Sequence, residues 1–120
     1  MPGSALLVID MLNDLVLEGA PPGAEIAAKR VPRQGDIVVE KKTYSSFYKT
    51  ELDARLSKLG VKALTLTGCV TNICILYAAS DAVLRGFAVT VPRDCVAGLD
   101  PRDDEFAFRQ MENVLKVKVV

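Results

Sequence analysis

The chain has 120 residues, half of them apolar, enough for one globular domain with a modest core. Fifteen acidic side chains balance fifteen basic ones, and no basic run is present to neutralise a phosphate backbone, so nucleic acid is not an expected partner. Histidine is absent, which excludes a Ser-His or Cys-His pair and any zinc site that needs imidazole.

The first ten residues, Met1 to Asp10, carry no cationic leader and meet a charge after a short apolar run. Neither a signal peptide nor a membrane span is expected there, and the location expected is cytoplasmic. Within this stretch, Ala5 to Ile9 is an unbroken aliphatic run halted by Asp10, the pattern of a strand buried on both faces. The interval from Asp14 to Gln34 holds Pro21, Pro22, Gly23 and Pro32, leaving room at most for a short helix around Glu25 to Arg30. Asp36 to Glu40, after Gly35, reads as a second strand. Thr50 followed by Asp53 resembles a capping box and opens a helix that Gly60 closes.

Ala63 to Thr67 gives a third strand, ended by Gly68. From about Asn72 to Arg85 the pattern is a helix closed by Gly86, and its first half is apolar almost all round, so that half is expected to be buried. Ala88 to Val91 is a fourth strand, Asp103 to about Asn113 a last helix, and Lys116 to Val120 a closing strand. Alternating strands and helices imply an α/β fold, a doubly wound, mostly parallel sheet with helices on both faces. Such sheets bind ligands at the carboxyl ends of their strands.

Three polar residues fall at that edge. Asp10 ends the first strand, Lys41 follows the second, and Cys74 lies in the first turn of the helix after the third. A helix N-terminus stabilises a thiolate, and a neighbouring ammonium lowers the thiol pKa further, so Cys74 is the best nucleophile candidate. Each residue also has a plainer reading: Cys74 as a small buried hydrophobe, Asp10 as a turn cap, Lys41 as a solvated strand-end charge. Asn13 and Asp14 suit loop hydrogen bonds. Cys69 and Cys95 read as structural, because neither lies at a helix N-terminus with a charged partner. An odd number of cysteines with no CxxC pair also speaks against a disulfide framework.

Three local stretches strengthen the catalytic reading. Val8-Ile-Asp-Met-Leu-Asn-Asp14, Glu40-Lys-Lys-Thr-Tyr-Ser-Ser-Phe47 and Thr67-Gly-Cys-Val-Thr-Asn-Ile-Cys-Ile75 together resemble the isochorismatase-like cysteine hydrolases, the superfamily of nicotinamidase and N-carbamoylsarcosine amidase. They match in order the motifs D-x-x-N-D, K-x-x-Y-S-x-F and G-x-x-T-x-x-C. The resemblance implies a Rossmann-like three-layer fold with sheet order 3-2-1-4-5-6, and an Asp10, Lys41 and Cys74 triad. It assigns Asp10 as general base and then acid, Lys41 as the charge beside it, and Cys74 as the nucleophile forming a thioester. Lys42 is adjacent, but Lys41 has the family's spacing to Phe47. The same resemblance implies an oxyanion hole of the Val70 and Cys74 backbone amides and a cis peptide between Cys69 and Val70. Leu15, Tyr44 and Phe47 are pocket candidates, though each could equally be core.

The expected function is hydrolysis of a small-molecule amide, since vinyl-ether hydrolases of this superfamily can do without the cysteine. The alternative is a non-catalytic or degraded member serving as an oligomeric binding scaffold. Homo-oligomers are common in the family, and the apolar helix from Asn72 to Arg85 would suit a subunit interface. No cofactor is expected, and no metal; a divalent metal fits only if a segment is missing. The family places a helix, a strand and a metal-bearing loop between the first motif and the Asp36 strand, several dozen residues more than stand here. The family's second βα unit is thus lacking between about Glu18 and Gly23: either the Asp36 strand pairs directly with the Ala5 strand in a shortened fold, or this sequence omits a segment that the molecule has.

Overall fold

The computed structural model describes residues 3–9 and 36–120. Strand β1 (Ser4–Ile9) pairs in parallel with β2 (Ala63–Cys69) along its full length, from Ser4 opposite Ala63 to Ile9 opposite Gly68. The first half of β2 also pairs with β3 (Ala88–Val91), and β3 with β5 (Lys118–Val119), all in parallel. The order β1-β2-β3-β5 corresponds to the 1-4-5-6 half of the expected sheet.

A two-stranded detail escaped the sequence reading. Strand β4 (Val96–Ala97) follows a single 3₁₀ turn, Arg93–Cys95, and takes over the end of β2, with Val96 opposite Gly68 and Ala97 opposite Cys69. Two residues are too few to give an alternation signal. Their effect is to bring the chain after β3 to the carboxyl end of β2, where the candidate nucleophile begins.

Helix α1 (Leu52–Lys58) starts one turn position later than the capping box suggested. Thr50 Oγ1 accepts from the Leu52 amide at 3.3 Å and donates to the Ser46 carbonyl at 2.6 Å, so it ties the preceding loop as well as the helix. The helix predicted from Asn72 divides in two: one π-type turn, Thr71–Ile75, then α2 (Leu76–Leu84). Helix α3 (Pro101–Asn113) begins two residues before Asp103. Asp100 caps it, accepting from the Arg102 amide at 2.8 Å, and proline occupies the first helical position, where its missing N–H costs nothing.

Three sequence expectations are corrected. Residues 36–40 form no strand, so the Asp36 segment does not pair with β1. Its Ile37 and Val38 are exposed, and of residues 36–40 Val39 alone packs against the core, too little burial to hold a strand. Nor is β1 buried on both faces: Leu6 and Val8 are 54% and 43% exposed, because β2 is its one strand partner among the described elements. The closing strand is also shorter than read, since Lys116 has φ 60° and breaks the extended run before Lys118. The short helix suggested near Glu25, and the junction between Glu18 and Gly23, lie outside the described residues.

The core gathers on the inner face of β2 and under α2 and α3. Leu64, Leu66, Ile75, Val91 and Met111 are at most 1% exposed. Small residues Ala78, Ala79 and Ala82, all fully buried, let α2 approach the sheet closely. The first half of the predicted helix is buried only in part: Ile75, Leu76, Ala78 and Ala79 are buried, Ile73 and Cys74 are half-buried, and Tyr77 is exposed, as is Leu84 near the helix end. No helix among the described residues is long and apolar enough to cross a membrane.

Candidate active site

The site is built on the carboxyl end of β2. Gly68 has φ +118°, and a Cβ placed there would stand 2.1 Å from the Ile9 carbonyl oxygen. Only glycine allows the ends of β1 and β2 to approach this closely. The Cys69–Val70 peptide that follows is cis. Val70 is extended, and its carbonyl accepts from the amides of both Ile73 (3.0 Å) and Ile75 (3.1 Å), the second being the long-range bond that makes the turn π-type. Such turns are frequent at functional sites.

Cys74 sits in this turn, half-buried, one residue before the fully buried Ile75 anchors it to the core. None of Cys69, Cys74 and Cys95 is in a disulfide. The Cys95 thiol contacts Asp94 Oδ1 at 3.5 Å, away from the turn.

Lys41 comes from the loop before α1, not from a strand end. It is half-buried, and its ammonium donates to the Tyr44 carbonyl at 2.9 Å, folding the loop back on itself. The loop is fastened to α2 by Ser45, whose buried hydroxyl donates to Asp81 Oδ2 and also accepts from the Phe47 amide at 3.2 Å. Asp81 in turn pairs with Arg85 at 3.1 Å. The lysine loop is therefore docked on the helix that directly continues the Cys74 turn.

Of the pocket candidates, Tyr44 is 61% exposed and its ring lies 5.9 Å from that of Tyr77 on α2. Phe47 belongs to the core instead: it is 3% exposed, packed 6.0 Å from Phe87 and covered by the Arg85 guanidinium at 5.1 Å. Asp10, Asn13, Asp14 and Leu15 lie outside the described residues. The described residues thus join Lys41 to the Cys74 turn through Ser45 and Asp81, and bring Ile9, the residue before Asp10, opposite Gly68.

Sequence reasoning passed over two further residues. Thr71, at the start of the π-type turn, is completely buried, and its hydroxyl has no well-formed hydrogen bond among the described residues. The same holds for Asp104 Oδ1 in the first turns of α3. The two side chains face each other. Burial raises the Asp104 pKa above 3.8, the Thr71 hydroxyl opposes that shift, and Asp103, Asp100 and Glu105 reinforce it. An aspartate near a helix N-terminus reads from sequence as a complement to the helix dipole, which is why Asp104 gave no signal.

The chain lacks histidine, and among the described residues no three Asp, Glu or Cys side chains converge on a common point.

Residues 16–119 match the Isochorismatase domain family. The Bacillus subtilis isochorismatase-family protein YaaI is 39% identical over 95 residues, covering 79% of this chain and 52% of that protein. Nicotinamidase 3 of Arabidopsis thaliana is 38% identical over 86 residues, covering 71% of this chain and 43% of its own length. The chain thus spans about half the length of these curated relatives. Among solved structures, an isochorismatase-like hydrolase from Alkaliphilus metalliredigens superimposes with a TM-score of 0.85 at 26% identity, over 98% of this chain and 93% of that one. The parallel sheet, the intervening helices and this likeness make the fold a three-layer α/β one, and with the match over residues 16–119 they place the chain in the isochorismatase domain family.

Proposed function

We propose that the chain carries a cysteine-dependent amidohydrolase site that cleaves a small-molecule amide through a thioester acyl-enzyme. The observation that supports it most is the register of Ile9 against Gly68, which sets the end of β1, with Asp10 next in the chain, beside the turn that carries Cys74.

In this reading Asp10 takes the Cys74 proton and the thiolate adds to the amide carbon. The Val70 and Cys74 amides receive the oxyanion, a contribution of about 2.7–4 kcal/mol per donor in comparable sites. As the carbon–nitrogen bond breaks, Asp10 returns the proton to the departing amine. Water, deprotonated by Asp10, then cleaves the thioester and restores the thiol and the carboxylate. Lys41 keeps Asp10 ionised and favours the thiolate. The Lys41 to Tyr44 hydrogen bond and the Ser45 to Asp81 contact suit that task, because they hold the ammonium on a loop fixed to the nucleophile's own helix.

Hydrolysis of a primary amide is favoured over other chemistry by the cysteine in the G-x-x-T-x-x-C stretch and by the nicotinamidase among the relatives. The same reading holds that the family's second βα unit is lacking between about 18 and 23, in keeping with the shorter span relative to curated relatives. The test is ammonia release from a panel of primary amides and ureido acids, run beside site-resolved alkylation of the thiols. Rapid alkylation of Cys74 at neutral pH with turnover of at least one amide is expected. Slow alkylation at all three cysteines, with no ammonia released, would leave the scaffold reading in its place.

A further inference from the structure

Asp103 and Asp104 stand side by side in the first turns of α3, where either charge complements the helix dipole. They are placed differently. Asp103 is exposed, whereas Asp104 is turned inward, with Oδ1 out of reach of solvent. The space it occupies is specifically vacated: a Cβ at Gly98, just after β4, would lie 1.7 Å from Asp104 Oδ1 and 2.5 Å from its Cγ. Gly98 does not have a positive φ, so the backbone does not demand glycine there; the carboxyl group does.

What this inward carboxyl faces is Thr71, three residues before Cys74 and immediately after Val70. Helix α3 packs on the Thr71–Ile75 turn, and β4 lies against the end of β2 that feeds it. Thr71 Oγ1 and Asp104 Oδ1 are both shut off from solvent without a well-formed hydrogen bond in the resting geometry, a costly state for polar atoms out of reach of water. A hydrogen bond between these two neighbours would satisfy both. The arrangement ties the position of the turn to one side chain outside all three sequence motifs.

We infer that Asp104 is a positioning residue of the site, acting through Thr71 to set the Val70 to Cys74 turn, with Gly98 reserved for its carboxyl group. This inference rests on the amidohydrolase reading. Asp104 touches neither the substrate nor the thiol; it fixes where the two oxyanion donors and the nucleophile stand.

Four substitutions test it in the full chain, each read by kcat and KM on the best amide and by the alkylation rate of Cys74 with iodoacetamide. Asp104→Ala should lower kcat about tenfold with KM nearly unchanged, within the roughly hundredfold that an ångström of misplacement costs. Asp104→Asn, which keeps the shape and the hydrogen-bonding capacity, should recover most of that loss. Gly98→Ala should reproduce the Asp104→Ala defect without changing any titratable group, because it displaces the carboxyl. Thr71→Val should cost as much as Asp104→Ala, and the pair together no more than either alone. Should Asp104→Ala fail to fold, Gly98→Ala with and without Thr71→Val carries the same cycle.

Full activity and wild-type alkylation in a folded Asp104→Ala chain would overturn the inference, as would additive losses in the double variant or no recovery by asparagine. In those cases the wild type remains an active hydrolase and the proposed function stands. A wild type with slow Cys74 alkylation and no ammonia release would remove both.

Discussion

The two described halves of the site are held by different forces. The Cys74 turn lies between β2 and α2 and is anchored by apolar burial: Leu66, Ile75, Ala78 and Ala79 around it are fully buried. The Lys41 loop has no strand and little core of its own apart from Phe47 and is held by polar contacts, Lys41 to Tyr44, Thr50 to Ser46 and Ser45 to Asp81. The first arrangement fixes a position by packing. The second depends on a few hydrogen bonds, each worth about 0.5–3 kcal/mol net, and can be loosened one bond at a time. The nucleophile is therefore built as part of the core, and the charge that serves it as an attachment to that core.

The strongest way to sharpen this contrast is to remove the chemistry and leave both supports. Cys74→Ala and Asp10→Asn should each lower turnover by roughly 10⁴-fold or more while the melting transition stays in place, and the double variant should be little worse. Additive losses would mean that the two do not act as one unit. Next in size is damage to the apolar support. Leu66→Ala should destabilise the fold by about 2–5 kcal/mol, seen as a lower denaturant midpoint with unchanged slope.

Smaller effects should follow from the polar latch. Ser45→Ala removes the hydroxyl that joins the loop to Asp81, and about 1–2 kcal/mol of stability should go with it, along with a several-fold fall in Cys74 alkylation rate. Asp81 keeps its Arg85 partner in that variant, so a loss as large as that of Leu66→Ala would show that the loop is not a separate attachment. The smallest effect concerns Asp104 and pH. Its folded pKa is raised, so its contribution to stability is complete below 3.8 and is lost as pH rises through the raised value. Asp103, Asp100 and Glu105 on its own helix push in the same direction, and Thr71 on the facing turn pushes against it. Asp104→Asn cannot ionise, so its melting temperature should gain on the wild type from strongly acid solution toward neutrality. A difference that stays flat with pH would show that the carboxyl does not titrate out of register with an unfolded one.

Much of the fold was legible because its signals are local and periodic. β1, β2, β3 and the three helices among the described residues stand close to where aliphatic runs, glycine stops and caps put them. Errors arose where a short apolar run buries too little of itself to hold a strand. Asp36 to Glu40 has the composition of a strand, but Ile37 and Val38 face solvent and no ladder forms. β4 is too short to announce itself, and the π-type turn at Thr71 shares its composition with an ordinary helix start. In the site, motif spacing located Cys74 and Lys41 as candidates. It said nothing of Ser45, Asp81, Asp104 or Gly98, whose importance lies in contacts between segments distant in the chain. Phe47 shows the converse: an aromatic inside a motif that belongs to the core.

Gly68 turns the spacing between the ends of β1 and β2 into something a single hydrogen atom controls. With alanine in its place, the Ile9 carbonyl would have to move from 2.1 Å to the 3.4–4 Å of ordinary contact, or β2 would have to twist out of its positive φ. Either response shifts the end of β1 against the Cys74 turn by on the order of 1 Å, about twice the 0.5 Å within which a constellation of reacting groups must be held. Polarity and charge have no bearing on this; the smallest side chain is already too large. In a library covering every substitution, position 68 should tolerate only glycine, while exposed neighbours on β1 such as Leu6 accept many residues, and that difference would measure how narrowly the spacing between the strand ends is set.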